Sequence, residues 1–298
     1  MMRVDYNLLK ALHAVVSLQS FERAAKRLAV SQSAVSQRIR HLEELMGEPV
    51  LVRSQPPMCT AIGQQLLSHY QQVQQLEQQL AQRLDIQQSC PSLALAVNAD
   101  SLATWFLPAL DPWLHNAQIQ LQLYVENESQ TWRRLISGEA LGAVTNQSKA
   151  VNGAQSEPLG ALTYLCVSSP EFQARYFAAG KPNKEQLKQA PAIAFDPHDD
   201  MHFNYIESLF GLSAGDYPCH IVRSSEAFVA MACSGYAYCL IARQQVQSQL
   251  DNGTLVNLLP EFALKVPLYW HYWQFSTHLM QSVSESLIAN ARGCLDME

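Results

Sequence analysis

The apolar pattern of the chain changes at Cys90–Pro91, and this change constrains the fold more than any other feature of the sequence. Before it, apolar residues recur every three or four positions, as they do on amphipathic helices. After it, short apolar runs alternate with helical stretches. Alternating strands and helices favour largely parallel sheets covered on both faces. The length of this second part favours two α/β sub-domains with a cleft between them.

Composition excludes several classes of protein. With 48% hydrophobic residues, the 298-residue chain can bury a core and is not a disordered tail. It has no run of about eighteen apolar residues and no apolar segment near Met1, so we predict neither a membrane span nor a secretory signal and expect a cytoplasmic protein. Its seven cysteines lack a C-x-x-C spacing, which fits neither a disulfide framework nor a zinc knuckle.

The net charge of −6 hides an asymmetry along the chain. Residues 1–84 carry nine Lys or Arg and six Asp or Glu, whereas residues 85–298 carry eleven and twenty. A basic first module joined to an acidic body predicts that only the first module meets a polyanion.

Three short helices are predicted at the start of the chain, over residues 5–18, 21–28 and 32–46. Ser20 and Ser31 are the expected N-caps of the second and third helices, and Gly47 is the expected C-cap of the third. The tight turn at Ala29-Val30 and these lengths are typical of a helix-turn-helix. A short strand over residues 50–53, before Pro56-Pro57, completes a predicted wing.

The third helix is the one that enters the DNA major groove in this motif. Its outward face carries short or planar hydrogen-bonding groups that reach base edges, together with arginines suited to phosphates or a minor groove. The candidate DNA-binding residues are Ser31, Gln32, Ser33, Ser36, Gln37, Arg38, Arg40 and, in the wing, Arg53. The alternative interpretation is that this Ser- and Gln-rich face is simply solvated.

A long helix is predicted from Thr60, its cap, to about Leu84. Its apolar positions are spaced alternately four and three apart, as in a coiled-coil seam: Ile62, Leu66, His69, Val73, Leu76 and Leu80. A single helix cannot bury such a stripe alone, so we expect it to pair with a second copy of the chain. Packing on the chain's own body is the alternative.

Strands and helices then alternate in the body. The predicted strands are residues 93–97, 119–125, 141–145, 162–168, 192–195, 238–241 and 268–273. The predicted helices are residues 108–116, 130–137, 171–178, 226–234, 243–250 and 277–291. The predicted class is therefore a multidomain α+β protein. Its domains are a winged helix-turn-helix at 1–59, a linker or dimerisation helix at 60–89, and a two-lobed α/β domain at 90–298, with lobes of about 92–165 plus 268–298 and 166–267.

The first module resembles a known family. The motifs Ala24-Ala25-x-x-Leu28, Ser31-Gln32-Ser33-Ala34-Val35-Ser36-Gln37-x-Ile39-x-x-Leu42-Glu43, Pro49-Val50-Leu51-Val52-Arg53 and Thr60-x-x-Gly63 are similar to the N-terminal signature of the LysR-type transcriptional regulators. The resemblance implies a regulator that binds double-stranded DNA as a homodimer or a dimer of dimers, with a periplasmic-binding-protein-like effector domain. It implies that Gln32, Ser33 and Ser36 read bases and that Arg53 lies in the wing. Many members have Arg where Gln37 stands, a departure that lowers the positive charge.

Within that family, the body resembles a branch that regulates arginine and lysine transport and is also described as an inhibitor of chromosome initiation. The stretches that carry this resemblance are residues 95–105, 194–196, 199–202, 218–222, 224–229 and 268–271. It implies L-lysine or L-arginine as effector, control of amino-acid transport or metabolism genes, and contact with RNA polymerase. The alternatives are an origin-binding or architectural DNA protein without an effector, and a solute-binding transport protein.

The candidate effector residues lie in loops that follow strands and precede helices, where two-lobed α/β domains bind ligands. Asn98, Asp100, Ser101 and Ser225 are candidates for a ligand carboxylate. Glu126, Asp196, Asp199 and Asp200 are candidates for a cationic side chain, which needs carboxylate partners to replace its hydration. Ordinary helix capping and solvated acidic loops are the alternative interpretations.

Enzyme and metal signals are weak. His198-Asp199-Asp200-Met201-His202 loosely resembles a zinc-binding helix, but Asp replaces the usual Glu and no third ligand is evident. The motifs G-x-S-x-G, G-x-G-x-x-G and G-x-x-x-x-G-K-[ST] do not occur. We therefore expect no enzyme, no metal site and no cofactor.

Overall fold

A computed structural model describes residues 5–52, 54, 56–83, 92–116, 119–127, 129–150, 153–178, 180–274 and 277–296. Within these ranges, no helix combines the length and the hydrophobicity that crossing a bilayer demands.

The first three helices are α1 (Tyr6–Leu18), α2 (Phe21–Leu28) and α3 (Gln32–Met46). The predicted caps are confirmed. Ser20 accepts a hydrogen bond from the Arg23 N–H and Ser31 from the Ala34 N–H, while Gly47 ends α3 with a φ of 75°. Each cap satisfies a backbone group that the helix end leaves free, so the local sequence fixes where these helices begin and end.

A two-stranded hairpin follows, with β1 (Leu51–Val52) antiparallel to β2 (Met58–Cys59). The sequence predicted the first of these strands but not the second. Arg53, the wing residue predicted to meet DNA, lies outside the described residues. The hairpin and the three helices together form a winged helix-turn-helix, whose core contains Leu9, Leu12, Val35, Ile39 and Leu42.

The linker helix α4 (Ala61–Arg83) begins after Thr60, whose Oγ1 accepts a hydrogen bond from the Gly63 N–H. Its first turns bury Leu66, Leu67 and Tyr70 against the helix-turn-helix. His69, predicted to lie in the apolar seam, is exposed, because these turns pack on their own module with a different face. Farther along, Leu76 is 50% exposed and Leu80 57% exposed.

The body contains one nine-stranded sheet. Its strands are β3 (Ser92–Asn98), β4 (Gln120–Glu126), β5 (Gly142–Thr145), β6 (Ala154–Ser168), β7 (Ala192–Ala194), β8 (Cys219–Ile221), β9 (Tyr238–Ala242), β10 (Val256–Asn257) and β11 (Leu264–Trp273). They are ordered β4-β3-β5-β11-β6-β9-β7-β8, with β10 on β6. We call the parallel group β4-β3-β5 with its helices the first lobe, and the parallel group β9-β7-β8 with its helices the second lobe.

Helices connect and cover these strands. They are α5 (Ala99–Ser101), α6 (Leu107–Asn116), α7 (Thr131–Ile136), α8 (Pro170–Phe177), α9 (Lys184–Leu187), α10 (Asp200–Phe210), α11 (Ser225–Cys233), α12 (Arg243–Asp251) and α13 (His278–Cys294). A π-helical turn over Leu102–Phe106 joins α5 to α6. The sequence predicted neither α9 nor α10, because both follow segments with loop-like composition.

The two long strands β6 and β11 pair antiparallel and connect the lobes. Their register shifts between Leu268, opposite Gly160, and Tyr269, opposite Pro158, so Leu159 forms a β-bulge. On one side of the bulge β11 pairs with β5, and on the other side β6 pairs with β9. The bulge therefore lies where the first lobe meets the second.

Candidate functional site

The outward face of α3 presents polar side chains to solvent. Gln32, Ser33, Gln37 and Arg40 are exposed, as is the capping residue Ser31, while Ser36 and Arg38 are half-buried. The opposite face buries apolar residues that fix α3 against α1 and α2. The structure thus holds seven of the eight predicted DNA-binding residues on or beside one helix, with most of them accessible.

A groove of about 680 Å³ runs beside this face. Gln32 and Ser36 form one wall, and Pro56 and Pro57 of the wing form another. The groove also contains the start of α2 at Ser20. In helix-turn-helix proteins the third helix enters the DNA major groove, so this surface is a candidate nucleic-acid interface.

Between the lobes, the carboxylate of Asp100 accepts hydrogen bonds from two hydroxyl groups. Tyr164, from β6, donates to Oδ2 over 2.9 Å, and Ser225, from the second lobe, donates to Oδ1. The side chain of Gln245 lies 2.8 Å from the same serine hydroxyl. One carboxylate of the first lobe is thus bonded to the start of α11 in the second.

Burial raises the pKa of Asp100 above its ordinary value, and the two hydroxyl hydrogen bonds only partly oppose this effect. Asp199 behaves similarly. Burial raises its pKa, against the opposing N–H groups of Phe195 and His202, and the charges of Asp100 and Asp196 raise it further. Among the described residues, no cation pairs with Asp100 or Asp199, so this region favours an added positive charge.

These acids line a small cavity whose volume is about 20 Å³, room for about one water molecule. Its walls are residues of both lobes: Asn98, Ala99, Asp100, Glu126, Asn127, Phe195, Asp199, Met201, Ser225, Phe228 and Leu240. The side-chain amide of Asn98 is buried there, and its oxygen and nitrogen have no hydrogen-bond partner among the described atoms. Buried amides are rarely left unpaired, so Asn98 is suited to receive a polar ligand.

The other predicted effector residues take different positions. Glu126 lines the cavity and is bonded to Arg134. Asp196 accepts the His198 N–H and pairs with Arg223 at 3.5 Å, outside the cavity walls. Asp200 is exposed on the first turn of α10, and the buried hydroxyl of Ser101 has no hydrogen-bond partner within the part of the chain that the structure describes.

Several residues at the site escaped sequence analysis. Tyr164 was not among the predicted effector residues, yet its hydroxyl donates a hydrogen bond to Asp100. Arg134 and Gln245 could not be predicted as site residues. Both are polar residues on amphipathic helices, where exposure to solvent explains a polar side chain equally well. Their roles depend on the packing of distant segments, which no local pattern reveals.

The segment that resembles a zinc-binding helix has another structural role. Asp199 caps α10 by accepting the His202 N–H, and the His202 ring is buried against Phe203, Tyr217 and Tyr238. Burial lowers the pKa of His202 to about 4. In the part of the chain that the structure describes, no three His, Cys, Asp or Glu side chains are grouped as metal ligands.

Comparison with known proteins identifies the architecture. Residues 6–64 match the family described as "Bacterial regulatory helix-turn-helix protein, lysR family", and residues 86–289 match the "LysR substrate binding domain". The chain belongs to the LysR family of transcriptional regulators. It is therefore a DNA-binding transcription regulator with an effector-binding domain, and the predicted fold class is confirmed. The family consists of transcription regulators, which agrees with the expectation that the chain is not an enzyme.

Individual LysR-type proteins are similar over nearly their whole length. The HTH-type transcriptional regulator ArgP of Aeromonas salmonicida is 49% identical over 297 residues, with 99% of each chain covered. The crystal structure of ArgP from Mycobacterium tuberculosis superimposes with a TM-score of 0.84 at 32% identity, covering 99% of this chain and 100% of that one. Full-length LysG from Corynebacterium glutamicum, with bound effector Arg, gives 0.79 at 28% identity, covering 98% and 100%.

Proposed function

We propose that this LysR-type regulator binds L-lysine or L-arginine between its two lobes and thereby controls genes of amino-acid transport or metabolism. The observation that carries the proposal is the acidic cavity at the lobe interface, in which Asp100 and Asp199 are buried without a cationic partner among the described residues. The similarity to ArgP proteins and to LysG with bound effector Arg supports the same ligand class.

The cavity chemistry supports separate positions for the two ends of a basic amino acid. Asp100, Glu126 and Asp199 supply carboxylates for an ammonium or guanidinium group. The unpaired amide of Asn98 and the start of α11 at Ser225 supply donors for the α-carboxylate. Phe195 and Phe228 supply apolar walls for the aliphatic chain.

The lobes must separate before such a ligand enters. The cavity of about 20 Å³ is far smaller than the roughly 300 Å³ or more that small-molecule sites usually enclose. Opening breaks the hydrogen bond from Ser225 to Asp100. A ligand that replaces this bond with its own contacts binds the open and the closed arrangement of the lobes with different affinity. Only that difference lets a ligand shift the balance between them.

DNA recognition is assigned to the third helix and the wing. We assign base contacts to Gln32, Ser33, Ser36 and Gln37, and phosphate contacts to Ser31, Arg38, Arg40 and Arg53. The exposure of the α3 face and the adjacent groove support this assignment. Because its target is chromosomal DNA, we place the protein in the cytoplasm, with RNA polymerase as a further partner.

Assembly as a homodimer, or as a dimer of dimers, follows from the linker helix. The exposed Leu76 and Leu80 continue an apolar stripe that the chain's own helix-turn-helix covers only in its first half. Two recognition helices must also be spaced about one DNA turn apart to read paired half-sites.

Isothermal titration calorimetry on the full-length protein tests the ligand proposal. We expect heat with L-lysine or L-arginine and little with L-norleucine, which keeps the four-carbon side chain of lysine but lacks its ε-ammonium group. L-glutamate, whose side chain would face like charge, is a second control. A gel-shift competition between a promoter fragment and bulk DNA, with and without the amino acids, tests the response. Specific DNA binding without binding of either basic amino acid would instead favour an architectural or origin-binding protein.

A further inference from the structure

Arg134, on α7, lies between two carboxylates that face different parts of the molecule. Its Nε and Nη2 lie 3.0 and 2.5 Å from Glu126 Oε1, and its Nη1 donates to Glu139 Oε2. The guanidinium also lies 5.2 Å from the centre of the Tyr124 ring. Burial disfavours the charged form, but the hydrogen bonds that Arg134 donates to Glu126 and Glu139, together with the charges of these acids, outweigh burial and raise the pKa of Arg134. Arg134 is therefore a fixed cation shared by two acids.

Glu126 is the acid on the ligand side. It ends β4 and lines the cavity between the lobes, together with Asp100 and Asp199. In this arrangement, a cation of the protein already occupies one of the carboxylates that a cationic ligand would use. Any ligand that engages Glu126 must therefore compete with Arg134.

Glu139 is the acid on the side of the DNA-binding module. Its neighbour Gly138 has a φ of +73° and packs so closely on the linker helix α4 that an added Cβ would lie 1.9 Å from Gln71 Oε1 and 2.9 Å from Ser68 Cα. Glu139 itself lines a groove together with Gln64 of the same helix. Glu139 thus lies where the first lobe meets the linker helix.

A polar groove of about 530 Å³ connects these two sides. Gln64 of α4, Arg134 and Glu139 of the first lobe, and His198 and Arg223 of the second lobe all line it. Glu126 lines both this groove and the ligand cavity. Arg134 therefore links an acid that lines the ligand cavity, Glu126, to an acid that shares a groove with the linker helix, Glu139.

We propose that Arg134 competes with the cationic effector for Glu126 and, through Glu139, transmits the occupancy of the cleft to the linker helix, an inference that rests on the proposed binding of a basic amino acid. When a ligand ammonium or guanidinium group takes Glu126, its charge repels Arg134. The remaining partner of Arg134 is Glu139, at the contact with α4. The ligand thereby changes the contact between Glu139 and the region of α4, which positions the DNA-binding module. The size of this change depends on how differently the ligand binds the arrangements in which Arg134 does and does not pair with Glu126.

The test uses the full-length protein with L-lysine and L-arginine as probes and two readouts. Calorimetry measures affinity, and hydrogen exchange measures protection of residues 61–71 in α4 with and without ligand. Arg134→Gln removes the relay, Glu139→Gln removes only its linker side, and Arg133→Gln is the matched control. Arg133 is the exposed neighbour on the same helix; it lines the same groove and carries the same charge, but its guanidinium lies over the Trp132 ring.

In the wild type, we expect ligand to change the exchange of residues 61–71. Arg134→Gln should bind ligand at least about fivefold more tightly and lose that change, consistent with the usual size of coupling between sites. Glu139→Gln should still bind ligand, but more weakly than the wild type, because Arg134 then pairs more strongly with Glu126. It should also lose the exchange response, which preserves the test if Arg134→Gln does not fold. Arg133→Gln should match the wild type in both readouts.

Each other outcome counts against a defined part of the proposal. Wild-type behaviour of both Arg134→Gln and Glu139→Gln would overturn the relay while leaving amino-acid binding intact. Tighter binding by Arg134→Gln with an unchanged exchange response would overturn transmission through Glu139. A wild-type protein that binds neither amino acid would overturn the proposed function, and this inference with it.

Discussion

The hydroxyl of Ser225 donates a hydrogen bond to the carboxylate of Asp100, and this bond joins the two lobes directly. Ser225 begins α11 in the second lobe, whereas Asp100 follows β3 in the first. Burial raises the pKa of this carboxyl, so its negative charge is costly in the closed arrangement. The lobes are therefore held together through a buried carboxyl group whose charged form a neighbouring positive charge would stabilise.

Asp100→Asn should weaken binding of L-lysine by at least about tenfold, because a hydrogen-bonded charge is replaced by a neutral amide. Wild-type affinity should also rise as pH increases through the raised pKa of Asp100, since the carboxylate then carries its charge. Calorimetry across pH measures both effects. Asp200→Asn, which removes the same charge from an exposed position on α10, is the control and should bind like the wild type.

The same variant should change the pH dependence of folding stability. Because burial raises the folded pKa of Asp100, its contribution to the free energy of unfolding is fully present below the ordinary carboxyl pKa and is lost as pH rises through the raised value. Asp100→Asn removes this loss, so the free energy of unfolding of the variant minus that of the wild type should increase with pH. Urea unfolding without ligand measures it, and a constant difference at all pH values would contradict the assignment.

His202 should limit stability on the acid side. Its folded pKa of about 4 lies below the ordinary 6.5, so the unfolded chain binds a proton first as pH falls. The wild type should therefore lose about 3 kcal/mol of unfolding free energy between about pH 6.5 and pH 4 from this group. His202→Phe, which keeps a ring among Phe203, Tyr217 and Tyr238, should flatten that slope in urea unfolding. The exposed His198→Phe should leave it unchanged.

Gln32→Ala should cost about 1–3 kcal/mol at a cognate promoter site and little on random DNA, because a paired contact to one base is lost. Gel shifts on both DNAs measure the difference. Gln247→Ala, an exposed glutamine on α12 of the second lobe, is the control. Equal losses on the two DNAs would show that Gln32 contacts the backbone rather than a base.

Leu76→Lys should dissociate dimers and abolish operator binding together, since it places a charge in the exposed apolar stripe of α4. Sedimentation velocity measures the assembly state of the full-length protein. Glu77→Lys introduces the same side chain one residue away, outside the stripe, and should remain dimeric. If Leu76→Lys remains dimeric, the dimer interface lies at another surface of the chain.

The helix-turn-helix was predictable from the sequence because its signals are local. Ser20, Ser31 and Gly47 each make a capping hydrogen bond with a residue three or four positions away. The bounds of α2 and α3 were therefore predictable almost to the residue. The stripe of α4 was predicted less well. His69 fits the seam spacing, but the early turns of α4 bury Leu67 and Tyr70 instead, which depends on how the preceding module packs.

The candidate effector site was predictable only as a set of loops. Strand ends placed Asn98, Asp100 and Ser225 at the correct edge of the sheet, and the structure brings all three to one cavity. Ser101 follows Asp100 and Asp200 follows Asp199, yet neither lines the cavity, because successive residues at a helix start face different directions. Arg134 lay beyond sequence reasoning, since its pairing with Glu126 and Glu139 depends on the folded position of α7.

The two lobes are connected by the paired strands β6 and β11, with the bulge at Leu159 between them, and not by a flexible linker. At Gly160, φ is +130°, and an added Cβ would lie 2.7 Å from the Cβ of Leu295, so neither the backbone nor the space accepts a larger residue. Any rotation of one lobe against the other must therefore twist the β6–β11 ribbon about this point while its hydrogen bonds stay paired. A paired two-stranded ribbon resists such a twist more than a single-stranded linker would, so the arrangement of the lobes is restrained by the ribbon as well as by their direct contacts.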